Sequence, residues 1–551
     1  MAMRFRRPAE PEWQFAPHER PAMPGSPASP DHPFGRRVAY GTVGVLVGLT
    51  GGLGNALISV NTQYLQGALG LDPAEIAWLP TAYVMTNVCI NLLLFKFRQQ
   101  FGLRLFTAIF VSAYAAITFA HLFVHGFASA VAVRAVSGMA GGALSTLGLY
   151  YVMQSFPAKW RLKALVVGIG VPQLAVPMAR LFSPELLGAA QWRTLYLFEF
   201  GLALVSLAAV LALQLPPGER KKAFEPMDLL TFMLFAPGIA LLCAVLGQGR
   251  ILWWTEAPWL GWALAAAIPL ILGAILIEHR RANPLLQTRW LGSADIVRFA
   301  VVTLMARIVL SEQTYAAVGL LTTLGQTNDQ LGGLFTIILL ASVAGIAVSA
   351  IMLDIDRLSH PVMMAIGLVA IAAFADSHAT NLTRAPQMYV TQAAIAFAGT
   401  LFLGPSLLFG MSRALAKGSG HVLSFIALFG IINNLGGLGG SALLGSYQVI
   451  REKAHSNSLV QDISLTDPAT VLRVQAGAGA YGRVLGDPAL RSAEGGALLS
   501  AQVTREANIL AYDDVFRLIA ILAGLTTLYL AMLNLRRWLR ARRLSPAPGS
   551  P

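Results

Sequence analysis

The chain has 551 residues, of which 56% are hydrophobic and 12% are charged; its formal net charge is +13 and its mean hydropathy +0.62. Soluble chains carry about 25% charged residues, so this composition excludes a soluble globular protein. The positive charge does not indicate a nucleic-acid partner, because it follows the membrane topology described below. Both cysteines fall inside apolar segments, which leaves no disulfide framework.

Long apolar stretches define the fold class. About 20 apolar residues cross a bilayer as a helix, and fourteen such stretches occur. They are continuous rather than alternating, which excludes a β-barrel and predicts an all-α polytopic membrane protein. The predicted spans, in chain order, are 38–60, 76–96, 104–124, 127–151, 164–187, 194–215, 229–249, 259–277, 298–320, 334–354, 362–377, 388–412, 421–449 and 514–535.

Basic residues fix the predicted orientation. With the amino terminus inside, the inner segments hold 27 Lys and Arg residues, against three in the short outer loops. The positive-inside rule therefore places the amino terminus in the cytoplasm. Fourteen spans return the carboxyl terminus to the same side.

The spans group into two sets of six around an extra pair. Residues 1–37 are polar and proline-rich, which predicts a disordered basic cytoplasmic tail. An N-terminal six-helix bundle, 38–215, precedes a connector with an extra helix pair, 216–297. A C-terminal six-helix bundle, 298–535, and a basic cytoplasmic tail, 536–551, complete the chain.

The outer segment 451–512, between spans 13 and 14, is long and polar. Apolar residues recur at helical spacing over 498–510, which predicts short amphipathic helices. A segment of roughly sixty residues is short for an enzyme domain and long for a passive loop, which makes it a candidate docking surface. A solvated connector is the alternative.

Motifs for catalysis or cofactor binding are missing from the sequence. The string GAGAYG, 477–482, matches a dinucleotide-binding pattern, but no strand precedes it. The chain contains no P-loop, no HExxH and no Cys/His cluster at metal-ligand spacing. We therefore predict no catalytic residue, metal or cofactor.

Five charged residues inside the spans are the strongest functional signal: Arg134, Arg180, Glu199, Arg307 and Glu312. A charge in hydrocarbon costs about 2.5 kcal/mol or more, so such residues mark substrate or proton paths, the alternative being an ion pair that locks helices together. Arg307 and Glu312 lie about 140° apart around one helix. Each should therefore find its partner on another span.

A buried carboxyl group can couple proton movement to substrate movement. Desolvation favours a protonated carboxyl group, and a nearby guanidinium favours the carboxylate. We assign proton coupling to Glu312 first and Glu199 second, and substrate contact to Arg180 and Arg307. Neutral polar residues either line the same cavity or form hydrogen bonds between helices; they are Asn87, Asn91, Gln173, Gln313, Tyr315 and Gln392.

Several segments carry a family likeness, including RAVSGMAGGALSTLGLYY at 134–151 and INNLGGLGGSALLGSYQ at 432–448. With 61–87, 191–200 and 502–523, taken in order, they resemble the 14-span drug:proton antiporter branch of the major facilitator superfamily, with its EmrB-like and QacA-like members. The resemblance implies the major facilitator fold, alternating access and proton-motive drive.

The resemblance also assigns residues. Arg134 matches a fourth-span arginine implicated in proton transfer. Asp356 and Arg357 match the inner-loop gating motif in its second-half copy. The first-half copy of this gating motif retains Gly102 and Arg104 but lacks the usual acidic residue.

Three departures from the family pattern affect the predicted cavity. Gly54 and Asn55 stand where a first-span acidic residue is common, and Arg180 falls within an altered fifth-span motif. Asn433 replaces an arginine in span 13, and we place it in the substrate cavity. Three intramembrane arginines against two glutamates then predict a preference for anionic or zwitterionic amphiphiles.

The sequence thus predicts a proton-coupled efflux permease that exports amphiphilic small molecules across a bacterial inner membrane. Its partners are the substrate, protons and membrane lipid. EmrB-like systems imply a periplasmic adaptor of the EmrA or HlyD kind and a TolC-like outer-membrane channel, reached through 451–512. The alternatives are a proton-coupled uptake carrier for a small organic anion, a non-transporting membrane scaffold and, third, a membrane enzyme.

Overall fold

The computed structural model describes residues 16, 19–21, 25–187, 192–464 and 466–544, without the side chains of residues 419 and 541–544. This part of the chain is helical and contains no strand. Its α-helices are α1 (Phe34–Val60), α2 (Thr62–Leu69), α3 (Pro73–Phe101), α4 (Leu103–Ala120), α5 (Phe127–Gln154), α6 (Arg161–Gly170), α7 (Ala175–Leu187), α8 (Trp192–Ala212), α9 (Pro226–Gln248), α10 (Pro258–Arg280), α11 (Thr288–Leu291), α12 (Ala294–Val309), α13 (Val318–Thr323), α14 (Gly332–Ile351), α15 (Ser359–Asp376), α16 (Tyr389–Lys417), α17 (Ser419–Gln461), α18 (Pro468–Ala480) and α19 (Pro488–Leu544).

Thirteen helical segments among the described residues are long and apolar enough to cross a membrane. The predicted ninth span is missing from that set because its helix is interrupted. A π-helical turn, Glu312–Ala317, separates α12 from α13. The backbone N–H of Ser311 bonds to Ile308 rather than to Arg307, so the helical register tightens just before the turn widens it.

Local sequence signals set the ends of α3. The Asp72 side chain accepts a hydrogen bond from the Glu75 N–H at 2.7 Å, and the Glu75 side chain accepts one from the Asp72 N–H at 3.0 Å. Pro73 occupies the first turn, where its missing N–H costs nothing. Gly102, with φ +82°, ends the helix, because a residue with a Cβ rarely adopts that conformation.

The helices pack as two groups that meet along two seams. In the first group α1 and α3 pack on α5, and α4 packs on α8; in the second α14 and α15 pack on α16, and α17 packs on α19. At one seam α14 contacts α6 and α7, and at the other α17 contacts α3. The extra pair, α9 and α10, joins the bundle through contacts of α9 with α3 and α17.

The predicted disorder of the amino-terminal tail is wrong for its last part. Residues 26–28 are buried, and α1 already begins at Phe34. Gln154 donates to the Ala28 carbonyl at 2.8 Å, and the Ala28 N–H bonds to the Pro217 carbonyl at 3.0 Å. These backbone bonds hold the segment, and hydropathy does not detect them. The prediction for residues 1–15 lies outside the described residues.

The predicted short amphipathic helices of 451–512 are also wrong in form. Instead α17 continues to Gln461 and α19 begins at Pro488, so two membrane helices extend outward, with only α18 as a separate short helix. Helices propagate readily once formed. Glycines let α18 approach α19 closely: a Cβ on Gly495 would lie 2.2 Å from the Val474 carbonyl oxygen.

Candidate functional site

Two buried carboxyl groups form the centre of the candidate site. Glu312 opens the π-helical turn, and Asp376 is the last residue of α15. The Gln392 amide nitrogen, on α16, donates to Glu312 Oε1 at 3.0 Å and to Asp376 Oδ2 at 2.9 Å. Glu312 and Gln392 are fully buried and Asp376 is 6% exposed. One neutral amide therefore joins acidic side chains from two other spans.

This carboxyl pair has no cationic partner within the described part of the chain, where none of the ion pairs involves either acidic residue. Two ionised carboxylates would repel each other strongly in so buried a place. A proton on one of them removes that repulsion. One proton shared by the two carboxyl groups is therefore the arrangement with the least repulsion.

The bridging amide is itself held in place. Gln313 Nε2 donates to the Gln392 backbone carbonyl at 3.0 Å and lies 3.4 Å from its side-chain Oε1. The Gln392 oxygen therefore faces Gln313, and its amide N–H groups face the carboxyl groups. Two neighbouring residues of the π-helical turn thus contact one side chain of α16.

The extra helix pair reaches the same turn. Arg250, in the connection between α9 and α10, has its Nη1 3.4 Å from the Tyr315 hydroxyl and its guanidinium 5.4 Å from the Tyr315 ring centroid. A Cβ on Gly445 would lie 2.2 Å from Arg250 Cδ, so a larger residue there would displace the Arg250 side chain. Trp254 Nε1 donates to Ser446 Oγ at 2.7 Å beside it. The connection is thereby anchored to span 13.

Arg134 occupies a second buried site, in the first helical group. Its Nη1 donates to the Gly54 carbonyl at 2.8 Å, its Nη2 to Asn55 Oδ1 at 2.8 Å and its Nε to the Leu79 carbonyl at 3.4 Å. The guanidinium lies 4.7 Å from the Tyr83 ring centroid. Arg134 is 1% exposed, so it ties α1 and α3 to α5 from within the bundle.

Glu199 lies in the same region without an ion pair to Arg134. The Tyr114 hydroxyl is 3.2 Å from Glu199 Oε1, and His121 Nδ1 is 3.7 Å from Oε2, too far for a hydrogen bond. Glu199 Oε1 would lie 2.8 Å from a Cβ at Gly54. A carboxyl group from span 6 therefore sits against the first-span position where the family likeness implied an acidic residue.

Replacing Gly54 by alanine should disrupt this cluster. The new Cβ would lie 2.0 Å from the Tyr114 hydroxyl oxygen, which would have to move away from Glu199. Overpacking of this kind costs about 1–3 kcal/mol. We expect a lower thermal unfolding temperature in detergent and slower transport. Gly201→Ala is the control, because nothing lies within 4 Å of its Cβ; equal behaviour of the two variants would contradict the geometry.

The two remaining intramembrane arginines lie apart from each other. Arg307 Nε is 3.4 Å from the Asn433 backbone carbonyl, and the Asn433 side chain instead bonds within its own helix to Phe429. Arg180 Nη1 donates to Asn328 Oδ1 at 2.7 Å. Arg307 and Glu312 thus each contact another span, as their spacing predicted, whereas Arg180 bridges the two helical groups.

Some of the neutral polar residues join the site around Glu312, and others form hydrogen bonds between or within helices. Asn87 Nδ2 donates to the Gly138 carbonyl on α5 at 3.1 Å, and Asn91 donates to the Asn87 carbonyl at 2.7 Å. These are bonds between and within helices, the alternative to a cavity role. Gln173 is exposed in a short 3-10 helix at 171–174. Of this set, Gln313, Tyr315 and Gln392 join the site around Glu312.

The predicted gating residues lie at or beside the connections between helices. Gly102 ends α3, and Arg104 is exposed at the start of α4. Asp356 and Arg357 are exposed in the 3-10 helix Ile355–Arg357, and the ion pairs of the described residues do not include them. Asp228 of α9 forms an ion pair with Lys96 near the end of α3, its Oδ2 lying 2.5 Å from Lys96 Nζ.

Asp376, His121 and Tyr114 were missed by the sequence analysis. Asp376 stands at the end of the short eleventh span, where an acidic residue usually marks the membrane boundary rather than a site. The signal in the sequence was an acidic residue within an otherwise apolar predicted span. Asp376 adds a third carboxyl group to the intramembrane set, which then has as many carboxyl groups as arginines. The excess of positive charge on which the predicted preference for anions rested is therefore gone.

The described residues contain no group of three or more His, Cys, Asp or Glu side chains that could hold a metal ion. The paired carboxyl groups supply two acidic side chains from different spans and no third.

Known proteins resemble this chain over most of the helical region. The profile of the Major Facilitator Superfamily matches residues 44–442. The major facilitator superfamily multidrug transporter mfsC of Aspergillus fumigatus is 26% identical over 224 residues, 40% of this chain and 42% of the fungal protein. The uncharacterized MFS-type transporter YhcA of Bacillus subtilis is 22% identical over 435 residues, 76% of this chain and 77% of the relative.

A solved structure shares the architecture. The crystal structure of the human organic anion transporter MFSD10 (TETRAN) superposes with a TM-score of 0.52 at 15% identity, covering 90% of this chain and 100% of the human chain. At this identity the likeness concerns the fold. The chain spans less than half the length of the fungal relative and about three quarters of the bacterial one.

Proposed function

The chain belongs to the Major Facilitator Superfamily, and we propose that it is an antiporter that exports amphiphilic small molecules in exchange for protons across a bacterial inner membrane. As a multi-pass member of this family it is a secondary transporter rather than an enzyme. The similarity to a multidrug transporter supports an amphiphilic substrate. The 14-span branch of the family is part of the proposal.

The observation that carries the proposal is the carboxyl pair bridged by Gln392. Glu312 lies on the predicted ninth span, Asp376 on the eleventh and Gln392 on the twelfth. A proton bound there holds three helices of one group in a common arrangement. Loss of that proton leaves two negatively charged carboxylates hydrogen-bonded to one amide. Their repulsion favours a rearrangement of those helices. Proton occupancy is thereby linked to the geometry of the second helical group.

Substrate contact falls to Arg307 rather than to the other arginines. Arg134 is committed to three acceptors and Arg180 to Asn328, whereas Arg307 has one long bond of 3.4 Å to a carbonyl. Glycine lets α17 pack closely against this residue: a Cβ on Gly436 would lie 2.7 Å from Arg307 Cβ. Arg307 and Glu312 share one interrupted helix, so movement of the π-helical turn changes the position of both.

Transport in everted membrane vesicles tests the direction and the driving force. Respiration acidifies their interior, so an exporter exchanging protons should concentrate a fluorescent amphiphile inside, and a protonophore should abolish the accumulation. The control is vesicles from cells that lack the protein. Accumulation in right-side-out vesicles instead would overturn export and favour the uptake carrier.

An adaptor of the EmrA or HlyD kind, leading to a TolC-like channel, is proposed to dock on the outer helices. Exposed apolar side chains in this outer segment support the docking proposal: Leu472 is 64% exposed, Val484 80% and Leu490 54%. Exposed apolar side chains on an aqueous face, when contiguous, are typical of an interaction surface.

Changing Leu472, Val484 and Leu490 to serine should leave transport in everted vesicles unchanged, because these residues lie outside the membrane part. Drug resistance of whole cells, which requires the complete export path, should fall to the level of cells without the protein. Gln475→Ser, on the same short helix and also exposed, is the control. Full resistance in the triple serine variant would contradict docking at this surface.

A further inference from the structure

A cavity of about 550 Å³ opens at the end of the second helical group that is predicted to face the cytoplasm. It lies between α12, α15, α16 and α19 and is distinct from the carboxyl pair, with which it shares no residue. Five arginines line it: Arg298, Arg413, Arg536, Arg537 and Arg540. They come from three helices and line one cavity; Arg413 is half-buried and the other four are partly exposed to solvent.

The positive charge of the cavity is poorly compensated. Asp295 is the acidic side chain of the lining, and its carboxylate lies 3.5 Å from Arg298 Nη1. Arg413 and Arg537, from different helices, are close enough to repel each other electrostatically. Arg413 is nevertheless fixed there: its guanidinium lies 3.6 Å from the Phe409 ring centroid, and its Nη1 donates to the Phe409 carbonyl at 3.0 Å.

Apolar side chains form part of the remaining lining, beside the polar groups of Thr303, Ser359, Ser406, Tyr529 and Asn534. These apolar residues are Val302, Phe299, Val362, Phe409, Leu530 and Leu533. On the same helix as three of the arginines, Leu535 is 54% exposed. A soluble anion would leave these apolar surfaces in water. An anion that carries acyl chains would cover them while its headgroup neutralises the arginines.

We propose that this cavity binds the phosphate headgroup of an acidic phospholipid from the cytoplasmic leaflet. The phosphate oxygens accept hydrogen bonds from Arg413 and Arg537, which relieves the repulsion between the two guanidinium groups. The glycerol backbone and the first part of the chains lie against the apolar walls. The site is independent of the proposed transport cycle and of its direction.

Native mass spectrometry of the purified full-length protein tests this site. Phosphatidylglycerol and phosphatidylcholine are offered at equal concentration, and the bound lipids are counted. We expect a preference for phosphatidylglycerol that falls by about tenfold in the double variant Arg413→Gln, Arg537→Gln. The matched control Arg280→Gln removes an exposed arginine outside the cavity and should keep the preference.

Two further experiments distinguish lipid binding from a damaged fold and from binding of a soluble phosphate. The charge-conserving double variant Arg413→Lys, Arg537→Lys should retain the preference, which distinguishes a lost headgroup contact from a damaged fold. Inorganic phosphate should not raise the thermal unfolding temperature of the wild type. Unchanged lipid preference in the double glutamine variant would overturn the site. Stabilisation by inorganic phosphate, absent from that variant, would instead assign the cavity to a soluble phosphate and overturn the lipid proposal.

Discussion

Replacing Glu312 by glutamine should reduce substrate-dependent proton flux to the level of protein-free vesicles. Glutamine has nearly the same shape, can remain hydrogen-bonded to Gln392 and cannot bind or release the exchanged proton. The fold should therefore survive while the coupling is lost. The measurement is the internal pH of proteoliposomes under an imposed pH gradient, with and without an amphiphile that is transported in the vesicle assay.

The control for that experiment is Glu256→Gln, which removes an exposed carboxyl group from the connection between α9 and α10. It should transport as the wild type does. Asp376→Asn should share the defect of Glu312→Gln, because either change leaves a single carboxyl group on the shared amide. Full flux in Glu312→Gln would move the coupling to Glu199 or to Arg134 and contradict the assignment.

Replacing Arg134 by alanine should have the largest effect on stability. The change removes hydrogen bonds to three acceptors on α1 and α3 and leaves a cavity the size of its side chain. The expected loss of unfolding free energy in detergent is about 2–4 kcal/mol. Arg134→Lys should be intermediate, because an ammonium group reaches fewer of these acceptors.

Arg384 provides a matched control for Arg134. Its Nη1 also donates to backbone carbonyls, those of Thr383 at 2.8 Å and Asn381 at 3.1 Å, but Arg384 is exposed. Water replaces such bonds, so Arg384→Ala should cost less than about 0.5 kcal/mol. Similar losses for both alanine variants would show that burial of Arg134 does not determine its contribution.

The helices of the membrane part were predictable because their apolar length carries the signal. The span Phe127–Gln154 begins at the predicted residue, and the span Trp192–Ala212 differs from its predicted window by a few residues at each end. The polar outer parts of α17 and α19 were not predictable in this way, since a helix that has left the membrane no longer needs an apolar composition. The ordered segment before α1 depends on backbone bonds to Gln154 and to residue 217, which only the tertiary structure brings together.

Within the site, the sequence indicated Glu312 and Gln392 but not their relation to Asp376. A charged residue within a span can be recognised from the sequence on its own. Which other residue lies beside it depends on how α15 packs against α16. The π-helical turn at Glu312 was likewise hidden, because it is a change in backbone hydrogen bonding without a proline or glycine to mark it. Glu199 was recognised, but its position against Gly54 follows from the packing of α8 on α1.

The most direct test of the central claim, that the Glu312–Asp376 pair holds the exchanged proton, is proton release on substrate binding. The purified protein is mixed with a transported amphiphile in weak buffer containing a pH indicator. The account predicts release of protons from the wild type and from Glu199→Gln, and none from Glu312→Gln or Asp376→Asn at equal substrate occupancy. Unchanged release from both of these variants, with release lost in Glu199→Gln, would contradict it.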